Sequence, residues 1–455
     1  MGRPKNGDLL VLTIDDLAFG GDGVGRLDGY VIFVRGGIPG DRLRVRLIQA
    51  RPRFGRAVIE EVEEPSPDRV EAPCPYFGRC GGCRLQQMSY PAQLSQKAKQ
   101  VADCLARIGG LAHVPVLPII GARETFGYRN KMEFTITRGG DGGIVVGLHE
   151  ADRYDAVLDI ERCLLQGETL NLLLAEARAF SREAGLSVYD QETGEGLLRF
   201  LMLREGKQTG EAMVNVVTAH PDIGAVAPLA QRLIARVPQT TSVMLNVNPK
   251  KASVAVGVEE HLLAGRDHVR ESLGGLTFQI SANSFFQTNT LQAERLFGLV
   301  QEMAGLKGGE TVVDLYSGTG AISLLLAGRA RWVYGIELAQ AAVDDAVRNA
   351  KANGVLNCTF LAGEVRFVLP ELIKRGIRSE VVVADPPRAG FHPKALRALL
   401  TLRPDRIVYV SCNPSTLARD LVELARGGYR IDPVQPIDMF PHTPHIEVVT
   451  RLERL

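Results

Sequence analysis

Apolar and polar positions follow three successive rhythms along the chain. Near the N-terminus, GDLLVLTIDDL, GYVIFVRGGIPG and DRLRVRLIQA are short apolar or alternating runs separated by GGDGVG and GGIPGD. That punctuation predicts the hairpins of a small β-barrel. In DRLRVRL, Leu43, Val45 and Leu47 alternate with Arg42, Arg44 and Arg46, so a strand there turns one apolar face inward and three guanidiniums outward. From 126 to about 280, strand-like runs such as KMEFTITR, GIVVGLHE and TSVMLNVNP mix with an amphipathic helical pattern around 169–184, which predicts an α+β domain. From about 281, TVVDLYSGTGAISLLLA, WVYGIEL, VVVADPP and RIVYVSC each place an apolar β-rich run before a polar tip, with helical patterns between. This is the rhythm of a doubly wound α/β domain, whose function gathers at the carboxyl ends of its strands. The expected organisation is a barrel over 1–65, a central α+β domain over 66–280 and an α/β domain over 281–455.

Charge narrows the partners more than the fold. Against 53 basic residues stand 52 acidic ones, a net charge of +1, so a nucleic-acid partner would need a local patch. Residues 41–56 supply one, with six arginines against a single acid, Asp41. On a small barrel this suits an RNA backbone, the alternative being a plain solvated strand face. No apolar run approaches the ~20 residues of a membrane span, and MGRPKNGD lacks the apolar stretch of a signal peptide. A cytoplasmic protein without membrane contact is expected, and in that compartment disulfides are rare.

The candidate chemistry lies at the strand tips of the last domain. Asp314-Leu315-Tyr316-Ser317-Gly318-Thr319-Gly320 joins its first strand to a helix, and Glu337 closes the next strand nineteen residues after Gly318, placed to accept from ribose hydroxyls. Dinucleotide sites carry a third glycine where this chain has Ser323. An acid-flanked loop fits cationic, phosphate-free S-adenosylmethionine better than NAD, and Glu364 after the third strand could face the adenine. Asp385-Pro386-Pro387-Arg388 and Ser411-Cys412-Asn413-Pro414 end two further strands and should open into the same crevice. A buried strand-end cysteine is ordinarily inert, but Cys412 sits between polar neighbours at the functional edge. Methylation of oxygen or nitrogen needs no covalent adduct, whereas a pyrimidine C5 becomes nucleophilic only after addition at C6. Loop plus cysteine therefore read as pyrimidine C5 methylation, and the C5 proton must then go to a base. DMFPHTPHIEVVTRLE offers His442, His445 and Glu447.

Three of the seven cysteines stand in CPYFGRCGGC, as Cys74-x5-Cys80-x2-Cys83. Spacing leaves zinc and an iron–sulfur cluster evenly matched. A fourth thiolate would come from Cys104, Cys163, Cys358 or Cys412. Of these, Cys104 occupies an apolar helical position, Cys358 lies in the cofactor domain and Cys412 has chemistry of its own.

Eight motifs in order resemble the RNA (uracil-C5)-methyltransferases, and most closely their bacterial 23S rRNA branch: GGDGVGRLDGYVIFVRGGIPGD, CPYFGRCGGC, YRNK at 128–131, NSFFQTNT at 283–290, DLYSGTG, DPPRAG, VSCNPSTLARDL and DMFPHTPHIE. The resemblance implies an N-terminal TRAM domain and a Rossmann-like methyltransferase domain onto which the helix-rich stretch 86–120 packs. It implies Cys412 as nucleophile, Glu447 as base, and Gln287, Tyr316, Glu337 and Asp385 around S-adenosylmethionine. It also implies a [4Fe–4S] cluster on Cys74, Cys80, Cys83 and Cys163, more a staple and RNA-facing element than a redox centre. Ala321 departs from members that place asparagine after the second glycine. A monomer acting on 23S rRNA is the expectation. Its rivals are a tRNA T-loop uracil methyltransferase, a non-catalytic RNA-binding protein and, more distantly, a cytosine-C5 enzyme.

Overall fold

The computed structural model describes residues 4–252 and 254–455. Its N-terminal unit is a closed barrel of β1 (Leu9–Leu17), β2 (Gly23–Leu27), β3 (Tyr30–Arg35), β4 (Arg42–Ala50) and β5 (Phe54–Glu64), in the spatial order β1-β2-β3-β5-β4. Along β4, Leu43, Val45 and Leu47 are buried with Ile14, Ile32 and Val34, while Arg42, Arg44 and Arg46 stand outside. Gly25 is required by close packing, since a Cβ there would lie 2.3 Å from Leu12 Cδ1. The outward arginines are not free. Arg46 pairs with Glu60 at 2.7 Å, Arg44 with Glu61 at 3.0 Å and Arg42 with Glu63 at 3.2 Å. Three of the six arginines counted along 41–56 are thus paired with acids on the neighbouring strand. Buried Asp41 pins the barrel's exit, accepting from the Ile38 and Ser66 amides and from Arg69 Nε at 2.9, 3.0 and 2.9 Å.

After the cysteine segment comes α1 (Tyr90–Arg107), which carries Pro91 in its first turn, where a missing N–H costs nothing. Val101 and Leu105 of this helix, with Leu111 and Val114, enter the core of the C-terminal domain. The Leu117 and Ile120 amides donate to the Val434 and Pro436 carbonyls at 2.9 and 3.0 Å.

The central unit is a seven-stranded sheet of β6 (Lys131–Arg138), β7 (Ile144–Glu150), β8 (Arg153–Asp159), β9 (Leu198–Glu205), β10 (Ala212–Thr218), β11 (Thr240–Val247) and β12 (Glu259–Gly265), ordered β12-β11-β10-β9-β6-β7-β8. On one face lie α2 (Glu168–Glu183) and α3 (Ile223–Arg236), whose Leu170, Leu173, Leu174, Leu229 and Leu233 cover Phe134, Leu201, Val214 and Leu245. Met213 and Met244 instead join the C-terminal core, alongside the hairpin β13 (His268–Leu273) and β14 (Leu276–Ser281). β10 is accordingly buried along its whole length.

The C-terminal domain runs α4 (Thr290–Ala304), β15 (Thr311–Leu315), α5 (Ala321–Ala327), β16 (Trp332–Glu337), α6 (Gln340–Ala352), β17 (Cys358–Ala362), α7 (Val365–Lys374), β18 (Val381–Ala384), α8 (Pro393–Leu402), β19 (Arg406–Ser411), α9 (Pro414–Arg426), β20 (Tyr429–Ile431), β21 (Gln435–Ile437) and β22 (Glu447–Arg454). Its sheet is ordered β17-β16-β15-β18-β19-β22-β20. Helices cover both faces, which is why the strands are continuous apolar runs. Val381 and Val383 enter one core, Val382 and Ala384 the other. Strand order reverses between β15 and β18, so a crevice opens at their carboxyl ends. Among the described residues no helix is long and apolar enough to cross a membrane.

Candidate active site

A crevice of about 770 Å³ lies beyond these strand tips. Tyr316 and Gly318 reach it from the β15–α5 turn, Glu337 from the end of β16, Glu364 from just past β17 and Asp385 from just past β18. The turn is held by the Tyr316 and Ser317 amides, which donate to the Ile336 carbonyl at 2.8 and 3.0 Å. Tyr316 itself takes a left-handed φ of 67°. Gly320, at φ 83°, lets the turn approach α6 and β17, because a Cβ there would sit 3.0 Å from both Ala346 Cβ and Phe360 Cζ. Glu337 is oriented by the Gly318 and Ala339 amides, which donate to its two oxygens at 3.0 and 2.9 Å.

Acids converge behind this turn. Burial raises Asp314 to about 7, against a hydrogen bond from Ser323 and with the help of Asp385 and Glu337. Burial likewise raises Asp385 to about 7. Ionising this group in free protein is costly, and a cation in the crevice would relieve the cost. Gln287 is not among the crevice residues; Asn283, Ser284 and Phe285 of the same loop are. The Gln287 carbonyl accepts from Asn130 Nδ2 at 2.9 Å. Arg366, Phe391, His392 and Arg419 also line the crevice and carried no signal in the sequence.

Cys412 and Glu447 are brought together by strand register. β19 and β22 pair antiparallel from Arg406 with Glu453 down to Ser411 with Val448, so Cys412, the residue just past β19, and Glu447, the first residue of β22, lie at the same end of the ladder. Burial pushes the Cys412 thiol up to about 11, with Glu447 and Asp385 adding and Arg388 opposing. Glu447 is driven well above the usual carboxylate range by burial and by Asp385, again against Arg388. Nucleophile candidate, base candidate and cofactor-side acid thus form one electrostatic unit with Arg388 as its cation, a role the DPPR motif did not signal.

The two histidines divide. Burial takes His442 to about 4, and its ring stacks on Phe126 at 4.2 Å while Nδ1 lies 3.2 Å from Gln93 Nε2, which makes it a packing group. His445, also lowered to about 4 by burial and Arg388, stands 3.3 Å from Arg388 and is neutral at pH 7.

On the central domain, Cys74, Cys80, Cys83 and Cys163 line one cavity of about 420 Å³. The Cys80 amide donates to the Tyr76 carbonyl at 2.8 Å and the Gly81 amide to that of His149 at 3.0 Å, so the loop lies against β7. The Cys163 amide donates to Asn171 Oδ1 at 2.9 Å. Burial raises Cys83 to about 12, and the neighbouring Cys163, Cys80 and Cys74 add to it. Cys104 lies apart, its sulfur 3.4 Å from Ser415 Oγ.

The sequence profile described as tRNA (uracil-5-)-methyltransferase matches residues 245–455, and that of the TRAM domain matches residues 4–59. An uncharacterized RNA methyltransferase of Halalkalibacterium halodurans is 42% identical over 446 residues, spanning 98% of this chain and 97% of its own. The chain belongs to the tRNA (uracil-5-)-methyltransferase family. A second family member, an uncharacterized RNA methyltransferase of Gloeobacter violaceus, is 43% identical over the full length of both chains. Among solved structures, the tRNA (uracil-54, C5)-methyltransferase of Pyrococcus abyssi, in complex with S-adenosyl-L-homocysteine, matches with a TM-score of 0.76 and 34% identity, covering 97% of this chain and 100% of that one. The family's α/β methyltransferase fold is thus present here, and the five-stranded barrel is its TRAM domain.

Proposed function

We propose that this chain uses S-adenosylmethionine to methylate C5 of a uracil in structured RNA. The observation that carries this reading is that Cys412 and Glu447 meet at one end of the β19–β22 ladder, close enough for the Glu447 charge to act on the thiol, beside an acid-lined crevice suited to a sulfonium cation. Tyr316, Glu337 and Asp385 would hold the cofactor, and Gln287 enters the set through its loop, whose residues 283–285 line the crevice. Cys412, as thiolate, adds to C6 of the uracil and pushes the electron pair of the C5–C6 double bond toward O4, which makes C5 nucleophilic. Arg388 favours both the thiolate and the electron-rich adduct. Bound in the crevice, S-adenosylmethionine would supply the methyl group that C5 takes up, its sulfonium becoming a neutral thioether. Glu447 then takes the C5 proton, the double bond re-forms and Cys412 departs from C6. A carboxylate raised by burial is a stronger base than one in water.

Cys74, Cys80, Cys83 and Cys163 would hold a [4Fe–4S] cluster. All four line one cavity of about 420 Å³, and the family resemblance favours a cluster there. In this division of labour residues 1–65 meet RNA, 66–280 carry the cluster and 281–455 do the chemistry.

The motif set favours 23S rRNA as substrate. A tRNA uracil is the second reading, favoured by the 34% identity to the Pyrococcus abyssi enzyme. Labelled methyl transfer to 23S rRNA and to tRNA transcripts, with nucleoside analysis of the product, tests both. The expected product is 5-methyluridine in 23S rRNA; label confined to tRNA would establish the second reading, and label on any other atom would overturn the proposal.

A further inference from the structure

The barrel reaches the nucleophile. A cleft of about 80 Å³ at Cys412 is lined on one side by Arg388, Asn413 and His445, and on the other by Phe19 and Gly20 of the β1–β2 loop. Phe19 lies almost four hundred residues from Cys412 in sequence and is 55% exposed, so it contributes little to the barrel's core. Its loop, by contrast, is firmly seated. The Ala18 and Gly21 amides close the turn on the Asp22 and Ala18 carbonyls at 2.8 and 2.9 Å. Leu17 is buried with Ile38, Leu85 and Met88, and Lys99 bonds Asp16 at 2.7 Å. Gly21 packs so closely on the next segment that a Cβ would lie 3.0 Å from Arg84 Cβ. That segment is itself tied to the catalytic edge, the Arg84 and Leu85 amides donating to the His442 carbonyl at 2.9 and 3.1 Å.

A rigid loop presenting an exposed aromatic ring beside a nucleophile is the arrangement that receives a base turned out of its stack. We propose that Phe19 is the outer wall of the target-base pocket, stacking on the uracil that Cys412 attacks, so that the barrel domain completes the active site as well as gripping RNA. This rests on the C5-methylation reading above. Every pyrimidine has a π-face, so Phe19 would hold the base in place, while Arg388 and His445 are the groups available to its polar edge.

The test is steady-state methylation of a short RNA, paired with covalent trapping on the same RNA carrying 5-fluorouridine. Phe19→Ala should raise KM for RNA roughly tenfold, the effect of losing one aromatic–base stack, with kcat falling much less and the unfolding midpoint unmoved. Phe19→Tyr should restore KM, and Phe19→Leu, apolar but without a π-face, should not. Unchanged KM in Phe19→Ala, or full rescue by leucine, would overturn the stacking role. If wild type itself fails to trap 5-fluorouridine, the C5-addition reading fails first; if it traps and Phe19→Ala half-saturates at the same RNA concentration, only the role of Phe19 falls.

Discussion

Asp385 faces opposed demands from folding and from ligand. Its carboxyl stands near 7 in the folded protein, far above the ~3.9 of an unfolded aspartate, because burial disfavours the charge. The folded state therefore binds this proton more tightly than the unfolded state, and stability falls as pH rises from about 4 to about 7. Asp385→Asn removes the penalty, so its unfolding midpoint at pH 8 should exceed wild type, with the gap closing at pH 4; thermal melts at the two pH values check this, and a lower midpoint at pH 8 would contradict it. The opposite sign holds for the cofactor. A sulfonium cation beside Asp385 favours the carboxylate, so S-adenosylmethionine affinity should rise with pH up to about 7 and then level off, at most tenfold per unit. Calorimetry in buffers of differing ionisation enthalpy should record proton release at pH 6; a pH-independent affinity would place the cation elsewhere.

At the scale of elements, the strand tips were legible because both-sided burial makes long apolar runs that stop abruptly at polar residues. Register was not legible. Cys412 and Glu447 are thirty-five positions apart, and only the antiparallel return of β22 against β19 brings them to the same end of the sheet. The family resemblance named the pair without supplying that reason. Phe19 went unnoticed for the same cause, since an aromatic in a glycine-rich turn shows no partner in sequence. The β4 arginines illustrate the converse: alternation correctly placed them outside the barrel, but the count of charges stopped at one strand and missed Glu60, Glu61 and Glu63 across the ladder. With those carboxylates beside them, replacing Arg42, Arg44 and Arg46 together by glutamine should change the salt slope of RNA binding by less than one unit in total, not one per residue. A fall near three units would show that each of the three arginines contacts a phosphate in spite of its partner. The cysteine cage makes its own prediction: Cys163→Ser should lose iron and sulfide from anaerobically purified protein, and Cys104→Ser should keep them. Equal iron in both would remove Cys163 from the ligand set.

Across the whole molecule, the barrel, α1 and the catalytic strand are joined by buried polar groups. Lys97 of α1 bonds Asp438 at 2.6 Å with both side chains out of water, and Tyr90 donates to the same carboxylate at 2.9 Å. Lys97→Met would leave Asp438 as a lone buried charge, so urea unfolding should show a loss of ~3–5 kcal/mol, largely recovered when Asp438→Asn is added. An unrecovered loss would mean that packing rather than charge dominates there. This frame holds the segment 438–447 in place and so sets Glu447 against Cys412, the claim on which the rest depends. The most direct test of it is Glu447→Gln incubated with substrate RNA and methyl-labelled S-adenosylmethionine, then run on a denaturing gel. The variant should add to C6 and receive the methyl group, then stall for want of a base, leaving a covalent protein–RNA band that carries the label and is absent with Cys412→Ala. Turnover of Glu447→Gln at the wild-type rate, or methylated product from Cys412→Ala, would contradict the account.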